Sequence, residues 1–337
     1  MSRVCAALSG GVDSAAAAAM LLRQGHAVTG AMMRLQPGAE TGDAAQVCAA
    51  LGISFTVLEA QDVFTAQVVQ PFIQTYCSGG TPNPCIVCNR QMKFGWMLDW
   101  ALAQGFESVA TGHYARIERS GSRWLLRAGD DPARDQTYFL YALTQHQLAH
   151  IRFPVGELPK AEVRALAATL GLPVAQKKDS QDICFIPGGD YAAFLRSQGA
   201  LLHPGRFLDL AGRELGRHNG AEAYTLGQRR GLGLACGAPV YVVRKEGADV
   251  IVGPESALYT TRVRVSGCNW IALDPPAAPL RAAVSLRYTR RRDTAQIVPT
   301  GEGCAELVFD QPQRAVTPGQ AAVFYDGPYV LGGGTIE

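Results

Sequence analysis

A glycine-rich hexapeptide near the start of the chain, Ser9-Gly10-Gly11-Val12-Asp13-Ser14, has the residue types of an anion-binding loop. Its two glycines let the backbone approach a ligand closely, and successive backbone N–H groups ahead of a helix form a site for negative charge. Asp13 would repel a bare phosphate, so we expect it to hold Mg²⁺ or to orient the loop. The loop lacks the lysine of a Walker ATPase and the spacing of a dinucleotide fingerprint, which leaves another nucleotide site or an ordinary tight turn.

Two later segments place cysteines in polar loops, Thr81-Pro82-Asn83-Pro84-Cys85-Ile86-Val87-Cys88-Asn89-Arg90 and residues 177–186. Cys88 and Cys184 each have cations close in sequence, and cations can lower the pKa of a thiol from about 8.5 toward neutrality. We therefore predict that these two cysteines are thiolate nucleophiles. Burial without a chemical role is expected for five others, which are Cys5, Cys48, Cys236, Cys268 and Cys304.

Cys85 and Cys88 form a C-x-x-C pair, which leaves several alternatives open. Together with Cys184 they could hold a 4Fe–4S cluster whose open iron site receives the transferred sulfur. Zinc is less favoured, because a fourth ligand at typical finger spacing is missing. A redox-active dithiol without a metal is the remaining alternative.

The hexapeptide resembles the SGGxDS signature of the PP-loop ATP pyrophosphatases, and the two cysteine segments with it resemble the MnmA family of tRNA-specific 2-thiouridylases. The similarity extends over nearly the whole chain. It continues in Thr111-Gly112-His113-Tyr114, residues 135–140, 153–156 and 224–229, Arg287-Tyr288 and residues 317–320.

This resemblance implies a reaction in which ATP adenylates O2 of the wobble uridine of a tRNA and is split to AMP and pyrophosphate. Cys184 would carry the sulfur as a persulfide, and Cys88 would be the partner thiol that frees it, leaving a Cys88–Cys184 disulfide. The implied cofactors are ATP and Mg²⁺. The implied partners are the tRNAs for Lys, Glu and Gln and a sulfur donor such as a cysteine desulfurase or a relay protein.

The resemblance also implies contact residues. Those for ATP are Ala7, Leu8, Ser9, Gly10, Gly11, Val12, Asp13, Ser14, Met33 and Gly112. Those for the target base are Asn83, Pro84 and Cys85, and those for the rest of the tRNA are His113, Arg134, Asp135, Gln136, Arg287, Tyr288 and Gln320. The chain departs from the family pattern at Cys85, where many members have aspartate, and residues 34–43 form a shorter segment than in many members.

The elements that must position these residues alternate between strand-like and helix-like patterns in the first half of the chain. Short apolar runs at 4–8, 27–32, 53–58 and 108–111 predict strands, and patterns at 14–24, 43–51, 93–104 and 160–170 predict helices. The alternation indicates a doubly wound parallel α/β sheet, which the resemblance specifies as PP-loop, adenine nucleotide α-hydrolase-like.

After about residue 187, Gly and Pro separate short β-like runs, which predicts two small β-rich domains, the last barrel-like. We expect a PP-loop ATP pyrophosphatase and thiolation domain at 1–190. A central β-rich, tRNA-contacting domain at 191–260 and a C-terminal β-barrel domain at 261–337 would follow.

Composition limits the partners. The 337 residues carry 31 Lys and Arg against 29 Asp and Glu, a net charge of +2, so a polyanion must be held by local patches rather than by bulk charge. Arginine-rich stretches at 206–245 and 262–292 are the predicted tRNA footprint. No apolar run approaches the roughly 18 residues of a membrane span, so we expect no binding to membranes. The odd number of cysteines, nine, is typical of a chain in a reducing cytosol, so we expect a cytoplasmic protein. The near-complete set of family domains favours a monomer.

Two rival functions remain at this point. The chain could be another PP-loop tRNA thiolase, of the 2-thiocytidine type, or a non-catalytic RNA-binding iron–sulfur scaffold. The 2-thiocytidine type should lack the segment around Cys184 and the β-rich domains. An intact loop with both Cys88 and Cys184 argues against a scaffold.

Overall fold

The computed structural model describes residues 1–178, 183–200 and 202–337. The predicted strands of the first half are present, together with a hairpin that the sequence patterns did not indicate. The strands are β1 (Arg3–Ala7), β2 (Ala27–Arg34), β3 (Phe55–Glu59), β4 (Ser108–Ala110), β5 (Ala115–Ser120), β6 (Arg123–Ala128) and β7 (Ile151–Arg152). Five of them form a parallel sheet in the order β3-β2-β1-β4-β7.

Helices cover both faces of this sheet. The described helices are α1 (Val12–Arg23), α2 (Gly42–Leu51), α3 (Gln61–Phe64), α4 (Gln70–Cys77), α5 (Pro84–Val87), α6 (Met97–Ala103), α7 (Gln145–Ala149), α8 (Lys160–Thr169) and α9 (Tyr191–Ser197). Along β1, Val4 and Ala6 pack with α1, α2 and α8, whereas Cys5 packs with α6 on the opposite face. This alternation confirms the predicted doubly wound α/β fold.

Two π-helical segments, Thr65–Val69 and Cys88–Trp96, join α3 to α4 and α5 to α6. The chain is therefore helical from Pro84 to Ala103, although the sequence predicted a helix only over 93–104. The Pro- and Asn-rich start resembled a loop, but proline is well suited to the first position of a helix, where no intrahelical partner is needed for a backbone N–H. Cys85 and Cys88 consequently lie on a helix rather than in a loop.

The remaining strands form two further units. The central sheet contains β8 (Gly205–Leu208), β9 (Glu214–His218), β10 (Tyr241–Glu246) and β11 (Asp249–Gly253) in the order β10-β11-β8-β9. The last unit contains β12 (Tyr259–Trp270), β13 (Leu280–Ser285), β14 (Asp293–Gly301), β15 (Cys304–Arg314), β16 (Ala321–Asp326) and β17 (Tyr329–Ile336). Pairing of β12 with both β15 and β17 closes these six antiparallel strands into a barrel, as predicted.

The barrel is attached to the first half of the chain by main-chain and side-chain contacts. The β5–β6 hairpin continues the barrel sheet, with Arg127 of β6 opposite Tyr329 of β17. Asn269 donates hydrogen bonds from Nδ2 to the carbonyl oxygens of Tyr141 and Leu143, at 2.7 and 2.9 Å. One apolar cluster contains residues from both parts, so the barrel and the parallel sheet hold a fixed relative position.

Candidate functional site

The glycine loop lies where β1 passes into α1, at the carboxyl end of the parallel sheet. The strand order reverses between β1 and β4, and in open α/β sheets ligands bind at this point, outside the carboxyl ends of the strands. Gly11, which has no side chain, is the N-cap residue of α1, so the first backbone N–H groups of the helix face the loop. The loop therefore lies where a nucleotide phosphate would be expected.

Hydrogen bonds within the loop fix its shape. The Ser14 hydroxyl accepts a hydrogen bond from the Ser9 backbone N–H at 3.2 Å and donates one to the Gly11 carbonyl at 3.1 Å. Gly10 has a φ of +70°, a left-handed conformation that glycine adopts without strain. The Lys177 ammonium group donates to the Gly10 carbonyl at 3.0 Å, which holds the outer side of the turn.

Asp13 is held by two side chains from other elements. The Lys160 ammonium group lies 2.6 and 2.7 Å from the two carboxylate oxygens, and the Tyr114 hydroxyl donates to Oδ1 at 2.8 Å. Lys160 is 8% exposed, so its ammonium group is largely shielded from water, whereas the Asp13 side chain is partly exposed. Of the two roles predicted for Asp13, this geometry favours orienting the loop, since its carboxylate is already bound by a cation.

Gly112, two residues after the end of β4, lies against the same loop. A Cβ atom placed on Gly112 would lie 2.5 Å from the Asp13 carbonyl carbon and 2.6 Å from the Ser14 backbone nitrogen. No side chain fits there. Met33, the other predicted ATP contact outside the loop, is at the carboxyl end of β2 and packs partly buried against the apolar clusters beneath the site.

The two cysteine segments meet in one apolar cluster. Cys88 is 9% exposed and is buried in this cluster with Phe185, the neighbour of Cys184. The Phe185 ring packs edge-on against Phe64 and Phe72, with ring centroids 5.6 and 5.3 Å apart. Phe185 therefore anchors the exposed Cys184 beside the helix that carries Cys88. Residues 179–182 of the second motif lie outside the described residues.

The thiol pKa values differ from the prediction. Burial raises the pKa of Cys88 and, with the neighbouring thiols of Cys88 and Cys85, raises that of Cys184 to about 11. Lys93 lowers both pKa values, but burial has the larger effect, so the prediction of thiolates stabilised by nearby cations was wrong. Lys177 is also engaged elsewhere, in an ion pair with Asp43.

The predicted 4Fe–4S site does not fit the described geometry. Among residues 1–178, 183–200 and 202–337, no group of three His, Cys, Asp or Glu side chains is placed to hold a metal ion. Cys85, Cys88 and Cys184 thus lie in one region without forming a preorganised set of ligands. Burial of the Cys88 thiol, which raises its pKa, disfavours the thiolate that a cluster would need.

His113 lies between β4 and the helix that contains Lys93. Its Nδ1 lies 2.6 Å from the Thr111 hydroxyl oxygen, and its ring packs against Phe94 and Phe153. Burial, with a smaller effect of the Lys93 charge, lowers the His113 pKa well below its usual range. The imidazole is therefore neutral near pH 7, which argues against a role as a charged phosphate contact.

Some of the predicted tRNA contacts are partly buried and bound to other residues of the chain, and others are exposed. Asp135 accepts hydrogen bonds from Thr137 and binds the Arg292 guanidinium at 2.9 Å, and Gln136 accepts from the Tyr114 backbone N–H. Gln320 likewise donates to the Thr81 carbonyl at 2.8 Å, which places the barrel beside the Asn83–Cys85 segment. Arg134 and Tyr288 are exposed; Tyr288 is 49% exposed, and its ring lies 4.4 Å from that of Phe139.

The arginine-rich stretches carry less free charge than their composition indicated. Arg262, Arg281 and Arg206 pair with Glu306, Asp310 and Asp249, acids that lie outside the stretches counted from sequence. Arg292 lies 3.5 Å from the centroid of the Tyr325 ring and is a structural residue of the barrel. In the part of the chain that the structure describes, Arg229, Arg230 and Arg290 are exposed and form no ion pair.

Sequence reasoning missed Lys160 and Phe185 as site residues. Lys160 is 147 positions from Asp13, and its pairing depends on how α8 packs on α1.

No helix among the described residues combines the length and the apolar character that crossing a membrane requires.

Comparison with known proteins agrees with this architecture. Residues 2–188 match the model of a tRNA methyl transferase HUP domain, residues 193–254 a tRNA methyl transferase PRC-barrel domain and residues 260–336 an aminomethyltransferase beta-barrel domain. A "tRNA-specific 2-thiouridylase MnmA" of Syntrophotalea carbinolica is 47% identical over 99% of this chain and 98% of its own length. The proteins of that name from Magnetococcus marinus and Roseiflexus castenholzii are 45% and 46% identical, over 99% and 100% of this chain and 98% and 99% of their own lengths.

Proposed function

Because the chain belongs to the MnmA family of tRNA-specific 2-thiouridylases, we propose that it is a tRNA-uridine 2-sulfurtransferase that uses ATP to replace O2 of the wobble uridine with sulfur. The observation that carries this proposal is the convergence of an anion-binding loop and two cysteines at the carboxyl edge of one sheet. The carbonyl oxygen of a base is a poor leaving group, whereas the same oxygen in AMP leaves readily. An enzyme for this exchange needs a nucleotide site beside a sulfur carrier, and the glycine loop and the two cysteines are the candidates for these roles.

We propose that ATP binds with its phosphates at the N-terminus of α1. The open N–H groups after Gly11, the left-handed turn at Gly10 and the Lys160-bound Asp13 support this placement. The magnesium ion would be held mainly by the ATP phosphates, since Asp13 already pairs with Lys160. The uridine O2 attacks the α-phosphorus, pyrophosphate leaves, and the base becomes adenylated.

Cys184 is the proposed sulfur carrier, and Cys88 is its partner. Cys184 is exposed, so a donor such as a cysteine desulfurase or a relay protein can load it as a persulfide. Cys88 then attacks the inner sulfur of the persulfide, a Cys88–Cys184 disulfide forms, and the outer sulfur leaves as hydrosulfide. Hydrosulfide attacks C2 of the adenylated uridine, and AMP leaves with the original oxygen.

The tRNA would cover the edge shared by the first unit and the barrel. Asn83 and Pro84 begin the helix that bears Cys88, and Gln320 ties the barrel to this point. Exposed arginines at 229, 230 and 290 lie on the two β-rich units and suit contacts to a folded RNA recognised by shape. We further propose that residues 1–190, 191–260 and 261–337 act as three domains, with tRNAs for Lys, Glu and Gln as substrates.

The test is nucleoside mass spectrometry on unmodified tRNA incubated with the protein, Mg-ATP, cysteine and a cysteine desulfurase. Wild type should form 2-thiouridine, and Cys88→Ser and Cys184→Ser should reduce its yield at least 100-fold. Cys236→Ser, in the central unit, is the matched control and should behave as wild type. Absence of 2-thiouridine with wild type, or full activity in both serine variants, would refute the proposal.

A further inference from the structure

Cys85 lies three residues before Cys88 on the same helix, and the two differ sharply in accessibility. Cys85 is exposed, whereas Cys88 is 9% exposed. Residues three apart on a helix have Cβ atoms about 5–6 Å apart, and a disulfide holds its two Cβ atoms about 3.5–4.5 Å apart. A disulfide between these two cysteines therefore requires their Cβ atoms to approach by about 1–2 Å through adjustment of the first helical turn.

The same region contains Cys184 and one cation. Electrostatic interaction with both Cys88 and Cys85 helps to raise the Cys184 pKa, and Lys93 acts on all three thiols in the opposite direction. Three sulfur atoms thus share one site, although the proposed reaction uses only two. The apolar packing of Phe185 keeps the third partner, Cys184, beside the pair.

We propose that Cys85 is the resolving thiol that releases Cys184 after each turnover. The Cys85 thiol loses its proton and attacks Sγ of Cys88 in the Cys88–Cys184 disulfide. A Cys85–Cys88 bond forms, the Cys88–Cys184 bond breaks, and Cys184 leaves with the electron pair and takes up a proton. An external dithiol then reduces the Cys85–Cys88 disulfide and is itself oxidised to a disulfide. This step rests on the proposed function, which supplies the first disulfide.

The exchange frees the sulfur carrier, and charge favours it. The oxidised pair becomes Cys85 and Cys88, whose Cys85 sulfur is exposed to a reductant, and the exposed Cys184 returns to its thiol form. Burial is the main cause of the raised Cys85 pKa, and the Cys88 thiol adds to it. The contribution of Cys88 disappears when Cys88 is in a disulfide, while Lys93 still lowers the Cys85 pKa. Cys184 is free at once to accept the next sulfur.

Cys77 is a suitable control because it is also exposed but lies in a different electrostatic environment. The charged group that acts on its thiol is Glu222, a carboxylate that raises its pKa, rather than Lys93. A general sensitivity of the protein to loss of an exposed thiol would therefore appear in Cys77→Ser as well as in Cys85→Ser.

The experiment is a single turnover of full-length protein without reductant. Wild type, Cys85→Ser and Cys77→Ser are loaded with sulfur by a cysteine desulfurase, freed of excess reagent and mixed with unmodified tRNA and Mg-ATP. Samples are quenched with N-ethylmaleimide over time, and non-reducing peptide mass spectrometry assigns the disulfides per mole of 2-thiouridine formed. Turnover is then measured with limiting dithiothreitol.

Wild type and Cys77→Ser should pass from a Cys88–Cys184 to a Cys85–Cys88 disulfide, with Cys184 alkylated at the end. In Cys85→Ser the Cys88–Cys184 disulfide should persist. The multiple-turnover rate of this variant, divided by its yield of 2-thiouridine in the single turnover, should be at least tenfold lower than in wild type. Wild type that ends with Cys88–Cys184 intact and Cys85 alkylated would overturn the proposal, whatever the folding of the variant. If wild type forms no 2-thiouridine, the proposed function itself is refuted, and the resolving step with it.

Discussion

Replacing Gly112 by alanine adds one methyl group where the segment after β4 meets the glycine loop. The new Cβ would lie 2.5 Å from the Asp13 carbonyl carbon, while ordinary contacts of this type begin at 3.4 Å. Both atoms belong to well-packed elements, so the loop must move by about 0.9 Å to relieve the overlap. Overpacking of this kind costs about 1–3 kcal/mol of folding free energy.

The functional effect should exceed the effect on stability. A displacement of about 1 Å in a positioning element can reduce activity roughly 100-fold, and this loop presents the N–H groups that we assign to the ATP phosphates. We therefore expect Gly112→Ala to weaken ATP binding by 10- to 100-fold in isothermal titration calorimetry. Denaturant unfolding should show that the variant is still cooperatively folded.

Gly42→Ala is the matched control. Gly42 begins α2, and a Cβ placed there meets no other atom within 4 Å. Alanine is the better helix former by about 1 kcal/mol, so this variant should be as stable as wild type or more stable and should bind ATP normally. If Gly112→Ala binds ATP within twofold of wild type, the assignment of the loop as the phosphate site is refuted.

Three other perturbations test the positions of Asp13, Cys184 and their supports. Lys160→Met leaves the Asp13 carboxylate without its cation. It should therefore lower the free energy of unfolding by about 2–4 kcal/mol and weaken ATP binding. Denaturant and ATP titrations that match those of wild type would contradict this role of Lys160. Phe185→Ala should destabilise the protein by about 3–5 kcal/mol and speed alkylation of Cys184; equal unfolding midpoints would show that Phe185 is not an anchor. Because the Cys184 pKa is raised to about 11, its iodoacetamide rate should rise about tenfold per pH unit from pH 7 to 10, and a plateau near pH 9 would show an unperturbed thiol.

Local sequence patterns were sufficient to predict the parallel sheet and the edge of the sheet at which the glycine loop lies. The run at 4–8 and the glycine loop after it place Gly10 and Asp13 at the end of β1, since a buried strand followed by glycines and an alanine-rich helix is informative by itself. The closed barrel was likewise indicated by short runs separated by turn residues.

The sequence could not show which of two opposing effects is larger when one of them depends on packing. Lys93 does act on the thiols as proposed, but the sign of each pKa shift is set by burial, which depends on Phe185 and its neighbours packing around Cys88. The charges of Arg262 and Arg281 are similarly offset by partners that only strand pairing brings near. The β5–β6 hairpin was missed because its partner strand lies at the other end of the chain.

That hairpin has a consequence for synthesis on the ribosome. Arg127 pairs with Tyr329, roughly 200 residues later, and at about 5–20 residues per second the partner strand emerges some 10–40 s after the hairpin. During this interval the backbone groups of β6 that later face β17 are an exposed strand edge, the feature that promotes pairing with other chains. Synthesis of β17 thus covers the β6 edge, and a ribosome that stalls before residue 329 would leave that edge uncovered.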